Sequence, residues 1–193
     1  MSTLDFWFDF SSPFAYLAST QVDALAARTG ATLRWRPMLL GAVFSAVGQV
    51  NIPISSFSDA KRSYYARDLK RWAEQWQVPF AWNPVFPLRT VLPLRVFLAH
   101  PDPIAFAHRV YAAAWAQGRD ISDPAVLHEC GATDAILSAA PDQKARLFAE
   151  TEEALRIGVF GAPSFVVDGA HLFWGQDRLD FVERALRGWV PAA

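Results

Sequence analysis

Ser11 and Ser12 are the residues of this chain best placed to do chemistry. They stand between an apolar run that ends at Phe10 and a helical pattern that opens on Pro13. A serine at the start of a helix offers an anion two kinds of donor, its own hydroxyl and the free amides of the first turn. Such a site lowers the pKa of a nearby acid. A thiol gains most, because with a pKa of about 8.5 it is mostly protonated in neutral water. The chain has one cysteine, Cys130, which is far in sequence from this turn and reads as a buried apolar residue. One cysteine excludes an internal disulfide and any Cys-x-x-Cys redox or metal site. A thiol held at the serine therefore has to come from another molecule. The plainer role of helix cap also suits both serines.

The elements that must position this turn are legible in the periodicity. Leu4 to Phe10 alternates as a strand covered on both faces, and Pro13 needs no amide partner at the first helical position. The helix runs through Ala18, Val22, Leu25 and Ala26 to a stop at Gly30. Ala31 to Arg36 alternates again, and strand–helix–strand of this length implies a parallel pair with a right-handed crossover. Helical spacing then recurs over Lys61–Gln77, Val91–Ala99, the stretch from Asp102 to Trp115, Ser122–Glu129, Thr133–Ala140 and Asp142–Arg156. The end of the chain returns to sheet. Ser164–Val167 and His171–Trp174 flank an Asp168-Gly169 turn, and Asp177 is expected to cap a last helix through Leu179, Val182, Ala185 and Leu186. The expectation is an α/β fold in which residues 1–39 and 141–193 form the sheet domain and residues 40–140 an all-helical insertion packed against it.

Composition narrows the function. With 52% hydrophobic and 19% charged residues, the chain is a packed globular protein. A net charge of -1 gives no electrostatic case for nucleic acid or an anionic membrane. His100, His108, His128 and His171 do not fall at zinc-ligand spacings, so no metal is expected. No apolar stretch is long enough to cross a bilayer, and the first residues lack a signal peptide's basic and apolar regions, which points to the cytoplasm. The 8 Trp and 15 Phe fit an aromatic core, or a pocket for a planar substrate.

Three separated motifs then agree. Asp9-Phe10-Ser11-Ser12-Pro13-Phe14-Ala15-Tyr16-Leu17-Ala18, Gly158-Val159-Phe160-Gly161-Ala162-Pro163-Ser164-Phe165 and Leu172-Phe173-Trp174-Gly175-Gln176-Asp177-Arg178-Leu179 occur in this order and spacing. Together they resemble the 2-hydroxychromene-2-carboxylate isomerases and the kappa-class glutathione transferases, over nearly the whole chain. The resemblance implies a thioredoxin-like fold with a large all-helical insertion. It also implies that Ser12 and Ala15 stand where redox relatives carry their two sulfurs, and that Ser12 holds the thiolate of glutathione. An apolar residue usually precedes that serine, so Ser11 is a departure and leaves the register between the two serines open. By the same resemblance Pro163 is cis, although an X-Pro bond in a folded protein is cis in only about 5–6% of cases. Ala162 is then expected to offer its backbone to the cysteinyl part of glutathione.

Gln176 and Asp177 match the pair that holds the γ-glutamyl end, with a helix cap as the plainer role of Asp177. Lys61, ahead of Tyr64 to Leu69, matches a glutathione-contacting lysine, or is a solvated helix start. Asn51 corresponds loosely to an asparagine in the loop before that lysine.

The activity implied is a glutathione-dependent cis–trans isomerisation of 2-hydroxychromene-2-carboxylate, or a related aromatic hemiketal or enone acid. On charge alone, Arg89 or Arg36 could meet the substrate carboxylate. Relatives suggest a homodimer. A kappa-class transferase or peroxidase would use the same serine, and a non-catalytic glutathione- or peptide-binding module remains the alternative outside enzymes.

Overall fold

The computed structural model describes residues 1–191. Four strands form one sheet: β1 (Thr3–Phe8), β2 (Thr32–Pro37), β3 (Ser164–Val167) and β4 (His171–Trp174), in the order β2-β1-β3-β4. β1 pairs parallel with β2, Thr3 facing Thr32, and antiparallel with β3, Leu4 facing Val167. The β3–β4 hairpin turns through Asp168 and Gly169, at φ 52° and 69°, as the sequence requires. Strand alternation sorts the β1 side chains. Leu4, Phe6 and Phe8 join one core cluster, while Trp7 joins a second with Met38, Val43 and Ala154.

Between β1 and β2 runs α1 (Pro13–Thr29), capped by Ser12 and ended by Gly30 at φ 69°. Then follow α2 (Leu40–Ala46), α3 (Asp59–Gln75), α4 (Val91–Ala99), α5 (Pro103–Trp115), α6 (Pro124–Glu129) and α7 (Asp134–Ala139). α8 (Lys144–Arg156) precedes β3, and α9 (Leu179–Leu186) follows β4. The larger core cluster runs without a break from β1 and α1 into α3, α4 and α5, so the helices of residues 40–140 pack directly on the sheet side. Phe8 and Phe10 stack edge-on against Phe97 and Tyr111 at centroid distances of 5.1 and 4.9 Å.

Several local expectations are corrected. β1 ends at Phe8, because Asp9 and Phe10 turn out of the sheet into the loop before α1. Residues 40–140 hold helices as their only regular elements, as expected, with one long connection among them. The chain from Gln77 to Thr90 carries no helix, and it includes a cis Phe86–Pro87 bond. α8 begins at Lys144, after a 3₁₀ turn over Ala140–Gln143 that accommodates Pro141. Asp177 does not cap α9. It lies in a 3₁₀ turn, Gln176–Arg178, and α9 starts beyond Arg178 without a side-chain cap.

Candidate functional site

A cavity of about 1230 Å³ opens between the end of the sheet that carries Ser12 and the helices of residues 40–140. The loop between β1 and α1 and the residues just before β3 supply its floor: Asp9, Ser11, Ser12, Gly161 and Ala162. Ser12 has extended backbone (φ -93°, ψ 113°), which puts it at the N-cap of α1, and its Oγ accepts the Ala15 amide at 3.1 Å. The Ser12 hydroxyl donates in turn to the Ala162 carbonyl at 2.9 Å. That bond joins residues 150 positions apart. Ala162 precedes Pro163 through a cis bond, and the Gly175 amide donates to the Pro163 carbonyl at 3.0 Å.

The two serines are separated by what they bind. Ser11 turns its hydroxyl and its amide onto Asp9 Oδ1, at 3.0 and 2.9 Å. The other carboxylate oxygen of Asp9 accepts the Leu40 amide at 2.9 Å, and the Thr90 hydroxyl also bonds this group. Asp9 is thus a buried acid tying the β1–α1 loop to the starts of α2 and α4. Burial pushes its pKa up, and the four hydrogen bonds pull it down only in part. From the far side α5 braces the same loop. Trp115 Nε1 donates to the Phe10 carbonyl at 2.8 Å, and the Tyr111 hydroxyl to the Asp9 carbonyl at 3.2 Å.

The site residues expected from sequence divide in two. Ser12, Asn51, Lys61 and Ala162 line the cavity together. Lys61 stands in the first turn of α3, its ammonium 4.1 Å from the centre of the Phe57 ring. Asn51 lies against Gly41, where any β-carbon would meet Asn51 Oδ1 at 2.7 Å, so the approach depends on that glycine. Pro163, Gln176 and Asp177 are not in the lining. Gln176 is buried, and Asp177 pairs with Arg178 at 3.3 Å. Asp177 nonetheless acts on the cavity through its charge. The Asp68 carboxyl in the wall is pushed up by burial and by Asp177, against the pull of Arg71 and the Tyr64 hydroxyl.

Of the two arginines suggested by charge, Arg89 lines the cavity and Arg36 does not. Arg36 donates to Glu150 at 2.6 Å and lies over the Trp7 ring, which removes it from the site. Three charged lining residues went unassigned in the sequence: Asp9, Asp68 and Arg95. Asp9 and Arg95 each had a signal, an acid between phenylalanines and a lone cation in the apolar run Val91–Ala99.

The family model of the DSBA-like thioredoxin domain matches residues 3–187. The chain belongs to the DsbA-like thioredoxin family. Within it the chain is 34% identical to a 2-hydroxychromene-2-carboxylate isomerase of Sphingobium xenophagum, over 95% of this chain and 97% of that protein. It is 28% identical to glutathione S-transferase kappa 1 of Caenorhabditis elegans, over 97% and 92% of the two chains. Among solved structures, a 2-hydroxychromene-2-carboxylate isomerase superposes with a TM-score of 0.83 at 27% identity, covering 96% of this chain and 94% of the other. The resemblance read from the motifs and the thioredoxin-like, helix-rich fold are thereby established. Among the described residues, no helix is long and apolar enough to cross a membrane.

Proposed function

We propose that this protein is a glutathione-dependent cis–trans isomerase that converts 2-hydroxychromene-2-carboxylate to trans-o-hydroxybenzylidenepyruvate, acting in the cytoplasm as a homodimer. The observation that carries the reading is the Ser12 hydroxyl, fixed at the N-cap of α1 and turned on the Ala162 carbonyl in the floor of a cavity larger than one small ligand needs. The identity to a protein named for this reaction supports it.

The residues present fit glutathione. The tripeptide carries two carboxylates, one ammonium and a thiol. The cavity presents Lys61 and Asn51 to a carboxylate, and Asp68, with the charge of Asp177 behind it, to an ammonium. The backbone of Ala162 suits a cysteinyl peptide group, and Gln176 beside Asp177 belongs to the γ-glutamyl end. When bound, glutathione would supply a thiolate nucleophile for the conjugated carbon of the ring-opened enone, held by Ser12 and the Ala162 backbone and released again as the same thiolate.

The protein's share of the chemistry is electrostatic. Ser12 Oγ redirects its proton from the Ala162 carbonyl to the sulfur once a peptide N–H occupies that carbonyl. The first-turn amides of α1 add the helix dipole, and the apolar wall lowers the local dielectric so that these preorganised donors act more strongly on the sulfur. Ser11, held by Asp9, positions the turn and does not touch sulfur.

A kappa-class transferase would use the same floor and differ only in keeping the sulfur on its product; the kappa relatives keep that reading in view. Turnover of 2-hydroxychromene-2-carboxylate, followed by absorbance with and without glutathione after dialysis, decides between them. Glutathione-dependent approach to a fixed equilibrium with no thiol consumed is the expected result. Thiol consumption in step with product gives the transferase. No turnover together with no thiolate absorbance leaves a binding module and sinks both enzymes.

A further inference from the structure

The helical wall of the cavity holds a charge that nothing among the described residues answers. Arg95 lies in α4, a helix otherwise made of Val, Leu, Pro, Phe and Ala, and it shares a face with Leu92, three residues earlier. Both line the cavity, with Leu137, Ala140 and Phe86 as apolar neighbours in the lining. The Arg95 Nε is buried and has no hydrogen-bond partner. Among the described residues, no carboxylate pairs with this guanidinium, whereas Arg28, Arg34, Arg36, Arg119 and Arg156 each have one. Arginine keeps its charge at any relevant pH, so it does not shed the cost of a buried, unanswered N–H by losing a proton. Arg89, the other arginine in the lining, is exposed and close enough to Asp120 to feel its charge.

We propose that Arg95 anchors the carboxylate of the substrate and so makes an aryl-substituted 2-oxo acid, or its cyclic hemiketal, the class of molecule this wall accepts. The choice of acid rests on the isomerase reading, whereas the anion anchor rests on the geometry alone. The planar fork of the guanidinium meets a carboxylate with two parallel N–H donors, and the apolar neighbours take the ring. An ester or amide of the same molecule presents a weaker, uncharged acceptor and is rejected on charge.

The test is calorimetric titration of benzylidenepyruvate and of its methyl ester into the wild type, Arg95→Met, Arg95→Lys and Arg89→Met, without turnover. The wild type is expected to favour the acid over the ester. Arg95→Met should lose roughly 10- to 100-fold in acid affinity, the size of a lost charge-assisted pair, and leave the ester nearly unaffected. Arg95→Lys, which keeps charge without the fork, should fall between, and Arg89→Met should lose less than Arg95→Met. Lys also serves if Met does not fold, because a purely steric role predicts equal losses for acid and ester. Acid affinity unchanged in Arg95→Met, equal losses for acid and ester, or no binding of the acid by the wild type would each overturn the anchor. If the wild type fails to turn over the chromene acid yet loses acid selectivity on mutation, the isomerase reading falls and the anchor stands.

Discussion

At the floor of the cavity the polar side chains are engaged within the protein. Ser12 Oγ both donates and accepts, and each oxygen of Asp9 is hydrogen-bonded. Along the helical wall, among the described residues, α4 buries a guanidinium nitrogen with no partner and Lys61 rests on an aromatic ring with no carboxylate in ion-pair range. The floor is built from backbone geometry that a ligand finds already in place. The wall is built from side chains that await one. On the proposed function, the sulfur chemistry is fixed by the first region and the choice of substrate by the second, so either can vary without rebuilding the other.

The largest expected effect lies at the floor. On the proposed function Ser12→Ala removes the donor to sulfur, and turnover should fall by about 10²–10³-fold, the usual size for one lost anion-hole donor. Thiolate absorbance of bound glutathione should titrate to higher pH, while stability drops by only about 1 kcal/mol from the lost cap. Ser11→Ala should be mild in turnover; a reversal of the two would make Ser11 the thiol partner and break the comparison.

Asp9→Ala comes next and should act on stability. It leaves the Ser11 and Leu40 amides without an acceptor in a dry setting, at a cost of roughly 3 kcal/mol in urea unfolding. A loss under about 1 kcal/mol would mean that the floor is not held by this acid.

Tyr16 gives a smaller, pH-dependent effect. Its hydroxyl donates to the Pro79 carbonyl at 2.7 Å, and burial pushes its pKa up to about 12. The unfolded phenol ionises near 10, so the folded state holds the proton more tightly between these values. Stability from this group is therefore complete below about pH 10 and lost as pH rises toward 12. Tyr16→Phe should flatten that alkaline decline, and an unchanged slope would show that the phenol ionises freely. The smallest effect is expected at the rim. A β-carbon at Gly161 would meet Trp174 Nε1 at 2.6 Å, so Gly161→Ala should move that half-exposed indole and shift tryptophan emission with little change in turnover.

How much of this was legible follows from what each feature depends on. The turn at Ser12 and the Asp168-Gly169 hairpin depend on local chemistry, a cap before Pro13 and a backbone needing positive φ, and local chemistry is written in order along the chain. The start of the last helix was misplaced because an aspartate before an apolar run looks the same whether the next turn is α or 3₁₀. Arg36 and Arg89 were equivalent as charges. Only packing shows that Glu150 and Trp7 occupy one of them. Asp9 was visible in the motif but silent as to role, since its partners Leu40 and Thr90 are far along the chain.

The hydrogen bonds from α5 to the loop beneath Ser12 bear on modularity. Trp115 and Tyr111 serve the Phe10 and Asp9 carbonyls, so the loop that presents Ser12 is completed by residues about a hundred positions downstream. A shortened chain joining residues 1–39 to 141–193 would leave both carbonyls without these donors. Ser12 is therefore not a portable motif. Transplanted into a bare thioredoxin scaffold, the same sequence would bring the hydroxyl without the brace that holds it still.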